Sequence, residues 1–488
     1  MNDWQKEYKL VQHTPLIHFQ HSEPHACLRA TEVKPKLDRF LIEQLEKDDR
    51  FGDGRWKKWF VGDGSQQSFD YMMRITPNSE QVERTQSIEN GIERAIARAE
   101  HRSPNASLHE IHKNYFGNMA SGNNIQDTVQ AIQETFKESL FYKDGLTLTI
   151  RCFIPELLTL IDEHIRGFFM MHNFGTRQRK GFGSFTVDIS TKPNEPKGFD
   201  LVGKYCPNAY YCKLDGNVSA NALLNAVWVI SGFLKSGFNL NNNKKNKKEN
   251  AASNIREKDY VRGFVFRYFQ REKNPLANDK AFVKQKVLLN VYDEKTPGEH
   301  RRFYGNNVRY RYVRGLLGTN ENSRFCRDPR GGTREDRTVH NIYIHSAEGV
   351  ERFPSPLLFK PIGKFVFILP QKMPDEIFGS EFYILEKNQE EKYDSKATSE
   401  QKLNYLKQEC KGGMIKTPTA EELAPGAKSG DEALKRFLDA FAKDFNDKTS
   451  DKGGGYGIDD LTSRDVFPAK YLRLRPVLLP GVPELPSH

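Results

Sequence analysis

No stretch of the 488 residues approaches the roughly 18 consecutive apolar residues that a membrane span requires. The start, Met1-Asn2-Asp3-Trp4-Gln5-Lys6, has no apolar run behind a basic segment, so the sequence predicts no secretory signal and a cytoplasmic protein with no membrane partner. Cysteine is scarce. Cys27, Cys152, Cys206, Cys212, Cys326 and Cys410 form no C-x-x-C pair and carry no matching histidine spacing, which argues for reduced, scattered thiols and against a zinc site. The sequence holds no G-x-x-x-x-G-K-[ST], which speaks against nucleotide hydrolysis, and Gly453-Gly454-Gly455 is too isolated to replace it. His109-Glu110-Ile111-His112 places its histidines at i and i+3, not at the i and i+4 of a helical zinc motif. His13 and His18 fall on opposite faces of a strand and His21 and His25 in a loop, so no chelating face results. The reading is of no metal and no cofactor.

What is present points to an anionic partner. The length exceeds one ordinary core, so two domains with insertions are expected. Hydrophobic residues make up 37% and charged residues 28%, and a mean hydropathy of -0.70 describes much polar surface. The net charge of +10 gathers at Arg177 to Lys180, at Lys244-Lys245-Asn246-Lys247-Lys248, and from Arg301 to Arg337.

The chain is organised around Asn173-Phe174-Gly175-Thr176-Arg177-Gln178-Arg179-Lys180-Gly181-Phe182-Gly183-Ser184-Phe185. Glycines there permit positive φ and let a partner's backbone approach main-chain N–H groups, while the three cations make that partner negative. Guanidinium forks suit phosphate oxygens, and Phe182 is placed to stack a base. The alternative is an ordinary tight turn with a solvated basic tip.

Before this loop, Tyr8 to Phe19 reads as a strand, and Val33, Leu37, Phe40, Leu41 and Leu45 mark a helix. From about 50 to 142 the pattern loosens into an insertion, with helices expected over Gln81 to Arg102 and Ile125 to Leu140. Leu146 to Phe153 reads as a strand and Glu156 to Phe169 as an apolar helix that delivers the chain into the loop. Phe185, Val187 and Ile189 then alternate as a strand, and the order fits a β-α-β-β-α-β plan. Leu223 to Leu234 is an apolar helix, Asn239 to Asn254 a mobile polar run, and Glu432 to Phe445 a charged helix. Between Arg301 and Arg337, Tyr304, Tyr310, Tyr312 and Phe325 interleave with ten arginines, as single-stranded RNA binding asks. The same alternation equally describes a strand with Arg309 and Arg311 wet and Tyr310 and Tyr312 buried.

The run Phe174 to Ser184 resembles the glycine-rich loop of the RAMP superfamily, the RNA-binding proteins of CRISPR effector complexes, and in particular that of the first subunit of the type III-B (Cmr) complex. His13-Thr14-Pro15-Leu16-Ile17-His18-Phe19 with Leu28 to Leu41 resembles that family's Thr-Pro-Leu strand and following helix, with Ala30 where glycine is usual. Arg352 to Pro361 followed by Val366 to Leu369 resembles the Ser-Pro-Leu strand of its second domain. The resemblance implies an α+β fold of two ferredoxin-like (RRM-like) domains with large helical and loop insertions. The first domain would span 1–235, with the helical insertion and the glycine-rich loop 175–185. A lysine- and asparagine-rich linker would follow over 236–260, and the second domain, with the basic stretch 301–337 and a helical C-terminal part, over 261–488.

The function so implied is non-catalytic RNA binding by a subunit that caps a type III effector near the 3′ end of the guide. Its partners would be guide (CRISPR) RNA, target single-stranded RNA and other RAMP subunits. The residues implied in RNA contact are Arg29, Lys34, Lys36 and Arg39 from the helix and Gly175, Arg177, Arg179, Lys180, Gly181, Phe182 and Gly183 from the loop. Arg309, Arg311 and Arg314 join them from the basic stretch. The competing reading is an endoribonuclease cutting target RNA or processing guide precursor, with Asp38 or His18 as its reactive group. Asp38 beside Lys36 and Arg39 reads more simply as a solvated ion pair.

Overall fold

The computed structural model describes residues 3–18, 27–79, 139–188, 198–239, 260–270, 276–288, 309–319, 322–327, 338–347, 353–386, 414–449 and 472–477, with single positions 398, 401, 404 and 408. In chain order the elements are β1 (Gln5–Gln12), β2 (Leu16–Ile17), α1 (Ala30–Leu45), β3 (Met72–Pro77), β4 (Ser139–Leu140), β5 (Leu146–Arg151), α2 (Pro155–Met171), β6 (Phe185–Val187), α3 (Gly198–Tyr205), β7 (Tyr210–Lys213) and α4 (Ala220–Ser231). They continue with β8 (Phe238–Asn239), β9 (Tyr260–Val261), α5 (Phe264–Tyr268), β10 (Ala277–Asn278), α6 (Asp279–Phe282), β11 (Tyr310–Arg311), β12 (Asn322–Arg327), β13 (Thr338–Ser346), β14 (Leu357–Ile362) and β15 (Phe365–Pro370). The last are β16 (Glu381–Glu386), β17 (Met414–Lys416), α7 (Ala420–Leu423), α8 (Gly430–Lys448) and β18 (Leu474–Pro476).

Contacts divide the chain into two units. One comprises residues up to Val229 with Leu358–Leu369 and the segment that carries β18; the other comprises Ile230–Leu357 and Pro370–Ser463. The β14–β15 hairpin and β18, which the sequence assigns to a second domain over 261–488, therefore belong with the first unit.

In that first unit β3, β5, β1 and β6 form a four-stranded antiparallel sheet in that order. With α1 between β1 and β3 and α2 between β5 and β6, this is a ferredoxin-like β-α-β-β-α-β arrangement. Alternation puts Tyr8 and Leu10 of β1 and Leu146, Leu148 and Ile150 of β5 on one buried face. The helices that cover it bury stripes at helical spacing: Val33, Leu37, Phe40, Leu41 and Leu45 from α1, and Leu157, Leu160, Ile161, Ile165 and Phe168 from α2. Each such side chain contributes about 1.5 to 3 kcal/mol by leaving water. A second antiparallel sheet runs β14-β15-β7-β18.

Two details differ from expectation. The strand expected from Tyr8 to Phe19 ends at Gln12, because Pro15 has no N–H for a ladder; Leu16–Ile17 pairs separately with β4. β3, expected to be part of the insertion, is an edge strand of the main sheet, and Ser139–Leu140, expected to close a helix, form strand β4. The remainder of both helices expected over 81–140 lies outside the described residues.

The second unit carries a six-stranded sheet in the order β10-β11-β17-β16-β13-β12. β12, β13, β16 and β17 pair antiparallel in succession, whereas β11 runs parallel to both β17 and β10. Ser429 caps α8 by accepting from the Glu432 amide, and the helix buries Leu434, Phe437, Leu438, Phe441 and Phe445. The run 240–259 lies outside the described residues, and its flanks pair as β8 and β9.

Candidate nucleic-acid interface

The glycine-rich loop leaves α2 at His172 and enters β6 at Phe185. Gly175, Gly181 and Gly183 all have positive φ, at 75°, 87° and 61°. Their purpose is close approach within the protein. A Cβ on Gly183 would stand 1.9 Å from the Phe174 carbonyl oxygen, and one on Gly175 2.7 Å from that of Ile17.

Many of the loop's main-chain N–H groups are engaged within the protein. Phe174 donates to Gly183 O, Thr176 to Ile17 O, Lys180 to Arg177 O, Gly181 to Gln178 O and Gly183 to Pro15 O. Gly175 N–H meets Glu32 Oε1 at 2.9 Å, and Ser184 N–H meets Thr14 Oγ1 at 3.1 Å. The Thr14 hydroxyl in turn donates to Gly181 O at 2.6 Å. Seven amides of the loop are thus consumed in shaping it.

Phe182 is also not a stacking platform, because it is fully buried; instead the Arg177 guanidinium lies over its ring. Arg177 itself has φ of 58°, a left-handed conformation uncommon for a residue other than glycine. Thr176 and Lys180 are exposed, with Arg177, Gln178 and Arg179 half-buried. Burial pulls Arg177 down to about 10 and also lowers Arg179. Although Lys180 is exposed by area, its ammonium is crowded by protein, which, with the charge of Arg177, pulls it down to about 8.

Helix α1 supports this loop more than it offers itself to a ligand. The Lys36 ammonium donates to Glu32 Oε1, Asn173 O and Gln178 Oε1 at 2.8, 3.2 and 2.8 Å, filling its three donor positions. Lys34 likewise donates to Asp38 Oδ2, Ser68 Oγ and Phe69 O. Arg39 is exposed, with Nε on Pro35 O, and Arg29 is half-buried at the helix start. Glu32 is the residue that sequence reasoning missed, because it braces the loop from a distance in sequence, and the bracing roles of Thr14 and Asn173 were missed with it. The sheet face turned from the helices holds Gln5, Glu7, Lys9 and Val11, then Thr147, Thr149 and Arg151, then Met72, Arg74 and Thr76. None of these side chains carries a ring of the kind on which RRM sheets stack bases.

The Cmr1 N-terminal domain family matches residues 4–238, and the Cmr1 C-terminal domain family matches residues 260–461. The chain belongs to the Cmr1 family. Membership implies a subunit of a type III-B CRISPR effector, working with other Cmr subunits. No curated protein matches the chain. Among solved structures, apo Cmr1 from Pyrococcus furiosus is similar at 12% identity over 46% of this chain and 71% of that one, with a TM-score of 0.28, too low to carry any argument about geometry.

In the second unit of this Cmr1-family chain, two of the three candidate arginines, all among the described residues, are committed to carboxylates. Arg311 forms a two-pronged pair with Glu422, Nε to Oε2 and Nη2 to Oε1, both at 2.9 Å. Arg314 meets the buried Asp279 at 2.6 Å through Nε. Arg309 keeps 57% of its side chain exposed and stands 3.6 Å from Glu422, so of the three it is the one presented to solvent. Tyr312 is buried and Tyr310 half-buried, while Tyr304 lies outside the described residues.

Neither nuclease candidate is presented to a substrate. Asp38 is 3% exposed, and its partner is Lys34, not Lys36 or Arg39; the pair is buried where the sequence reads a solvated one. His18 is 4% exposed. Among the described residues no group of three His, Cys, Asp or Glu side chains is placed to hold a metal ion, and no helix is long and apolar enough to cross a membrane. Cys27, Cys152, Cys206 and Cys212 are free thiols.

Proposed function

We propose that the chain is a cytoplasmic RNA-binding subunit of the type III-B effector in antiviral defence, contacting guide RNA, target RNA or both without cutting either. The observation that carries this is the cluster of Arg177, Arg179 and Lys180 on a loop braced by its own amides, with burial lowering all three cations. Cations held where their charge is disfavoured gain from a phosphate partner, since each charged hydrogen bond contributes about 1.5 to 3 kcal/mol. The burial of Asp38 and His18 supports binding over cleavage.

Affinity for single-stranded RNA, measured as salt is raised, tests the reading. The logarithm of the binding constant should fall with log salt at about -0.7 per phosphate neutralised, near -2 to -3 for three or four contacts. Arg177→Ala with Arg179→Ala should weaken capture by a few kcal/mol at most and flatten the slope by about 1.4. Binding indifferent to salt overturns the proposal, as does RNA cleavage that is lost on changing Asp38 or His18 while affinity stays intact.

A further inference from the structure

Lys360 is a lysine in a strand of apolar neighbours, β14, and it is fully buried. Lysine is almost never so placed without a specific role for its donors. Its Nζ donates to His172 O at 2.7 Å and to Phe185 O at 2.8 Å. Those carbonyls are the last before the glycine-rich loop and the first after it. His172 is also the C-cap of α2, where carbonyls lack helical partners and accept from other donors.

The residues on either side of Lys360 grip the loop as well. Phe359 N–H donates to Arg179 O at 3.3 Å, and its carbonyl accepts from Asn173 Nδ2 at 2.8 Å. Asn173 Nδ2 also reaches Gln178 O across the loop. Pro361 O accepts from the Ser184 hydroxyl at 2.6 Å, and a Cβ on Gly181 would come within 2.9 Å of Pro361 Cγ. Three consecutive residues of one strand therefore meet the loop at its beginning, its basic tip and its end.

We propose that Lys360 is the positioning residue of the glycine-rich loop: its buried amino group joins the loop's two ends, so that β14 sets how Arg177, Arg179 and Lys180 face a phosphate backbone. Only the last clause rests on the RNA-binding reading. Being fully buried, Lys360 cannot influence RNA by touching it.

The test uses the full chain with Lys360→Met, which keeps the apolar stem and removes the donors. Trypsin cuts after Arg177, Arg179 and Lys180, so mass spectrometry of early cleavage reads the order of the loop without RNA. Nicking there is expected to quicken at least tenfold, with single-stranded RNA affinity falling severalfold and the salt slope flattening. Gly216→Ala serves as the control for general destabilisation, since Gly216 has φ of 74° and open space around it; it should move the melting temperature without loop nicking. Unchanged nicking, or nicking equal to that of Gly216→Ala at matched stability, overturns the proposal. If Lys360→Met does not fold, Ser184→Ala removes a smaller tie to the same strand, and a loop then nicked no faster than in the unaltered chain overturns it equally. If the unaltered chain binds no RNA, the RNA-binding reading fails, while the nicking comparison still decides the role of Lys360.

Discussion

The Arg177 guanidinium lies 5.9 Å from the centroid of the Phe182 ring, and that ring is sealed from solvent. An aromatic residue in a basic loop thus supports a cation from beneath. Phe182→Leu should keep the fold and reduce RNA affinity by only about 0.5 to 1 kcal/mol, the scale of a cation–π contact. A ring that stacked a base would contribute about 1 to 3 kcal/mol. Fluorescence titration with labelled RNA, paired with thermal melting, separates the two.

Lys180 makes binding sensitive to alkali. Its ammonium titrates near 8 in the folded protein, against an ordinary value of 10.5, and a phosphate partner favours the charged form. Affinity should be flat below about pH 8 and decline above it, with a proton taken up on binding. Folding stability moves the opposite way: between about 8 and 10.5 the unfolded chain binds more protons, so this group's contribution to stability rises with pH. Lys180→Arg should remove most of the decline up to pH 9.5. An identical decline in that variant would place the titration elsewhere.

Gly183 tests whether the loop's glycines serve the fold. Gly183→Ala forces a side chain into left-handed φ, at about 1 to 3 kcal/mol, and against the Phe174 carbonyl as well. Gly216→Ala meets the φ penalty with nothing within 4 Å. Thermal melting should show a clearly larger loss for Gly183→Ala. Equal losses would mean that the loop relaxes freely.

Asp38→Asn should lower stability and leave target cleavage by the assembled complex unchanged per folded molecule. The Lys34–Asp38 pair is 2.9 Å long with side chains 22% and 5% exposed. Breaking a buried pair costs about 3 kcal/mol or more, which the partial exposure of Lys34 reduces, whereas a solvated pair contributes at most about 1 kcal/mol. Denaturant melts of the variant, with cleavage assayed in the reconstituted complex, decide between a structural carboxylate and a reactive one.

What was legible in the sequence was whatever repeats locally. α1 and α2 announce themselves through leucine and phenylalanine at helical spacing, and β5 through strict alternation. β3 does not, because an edge strand with Ile75 as its only buried residue has no pattern to show. The loop's composition revealed its charge, but the fate of its amides depends on Pro15, Ile17 and Glu32, more than a hundred residues away. Lys34, Lys36, Arg311 and Arg314 read as cations for RNA, since the carboxylates and carbonyls that engage them become neighbours only in the fold.

Strand β7 is hydrogen-bonded to β15 on one side and to β18 on the other, and both follow it late in the chain. During synthesis, therefore, Tyr210–Lys213 leaves the ribosome with neither neighbour yet made. At about 5 to 20 residues per second, its second edge stays bare for roughly 10 to 50 s. The loop waits as well, for Lys360 arrives nearly two hundred residues after it. The nascent first unit is thus an unfinished sheet with an open edge, in need of protection from pairing with other chains. A fragment ending at residue 235 would be held permanently at that stage, so genetic dissection of this protein has to respect the chain's return and not the family boundary near residue 238.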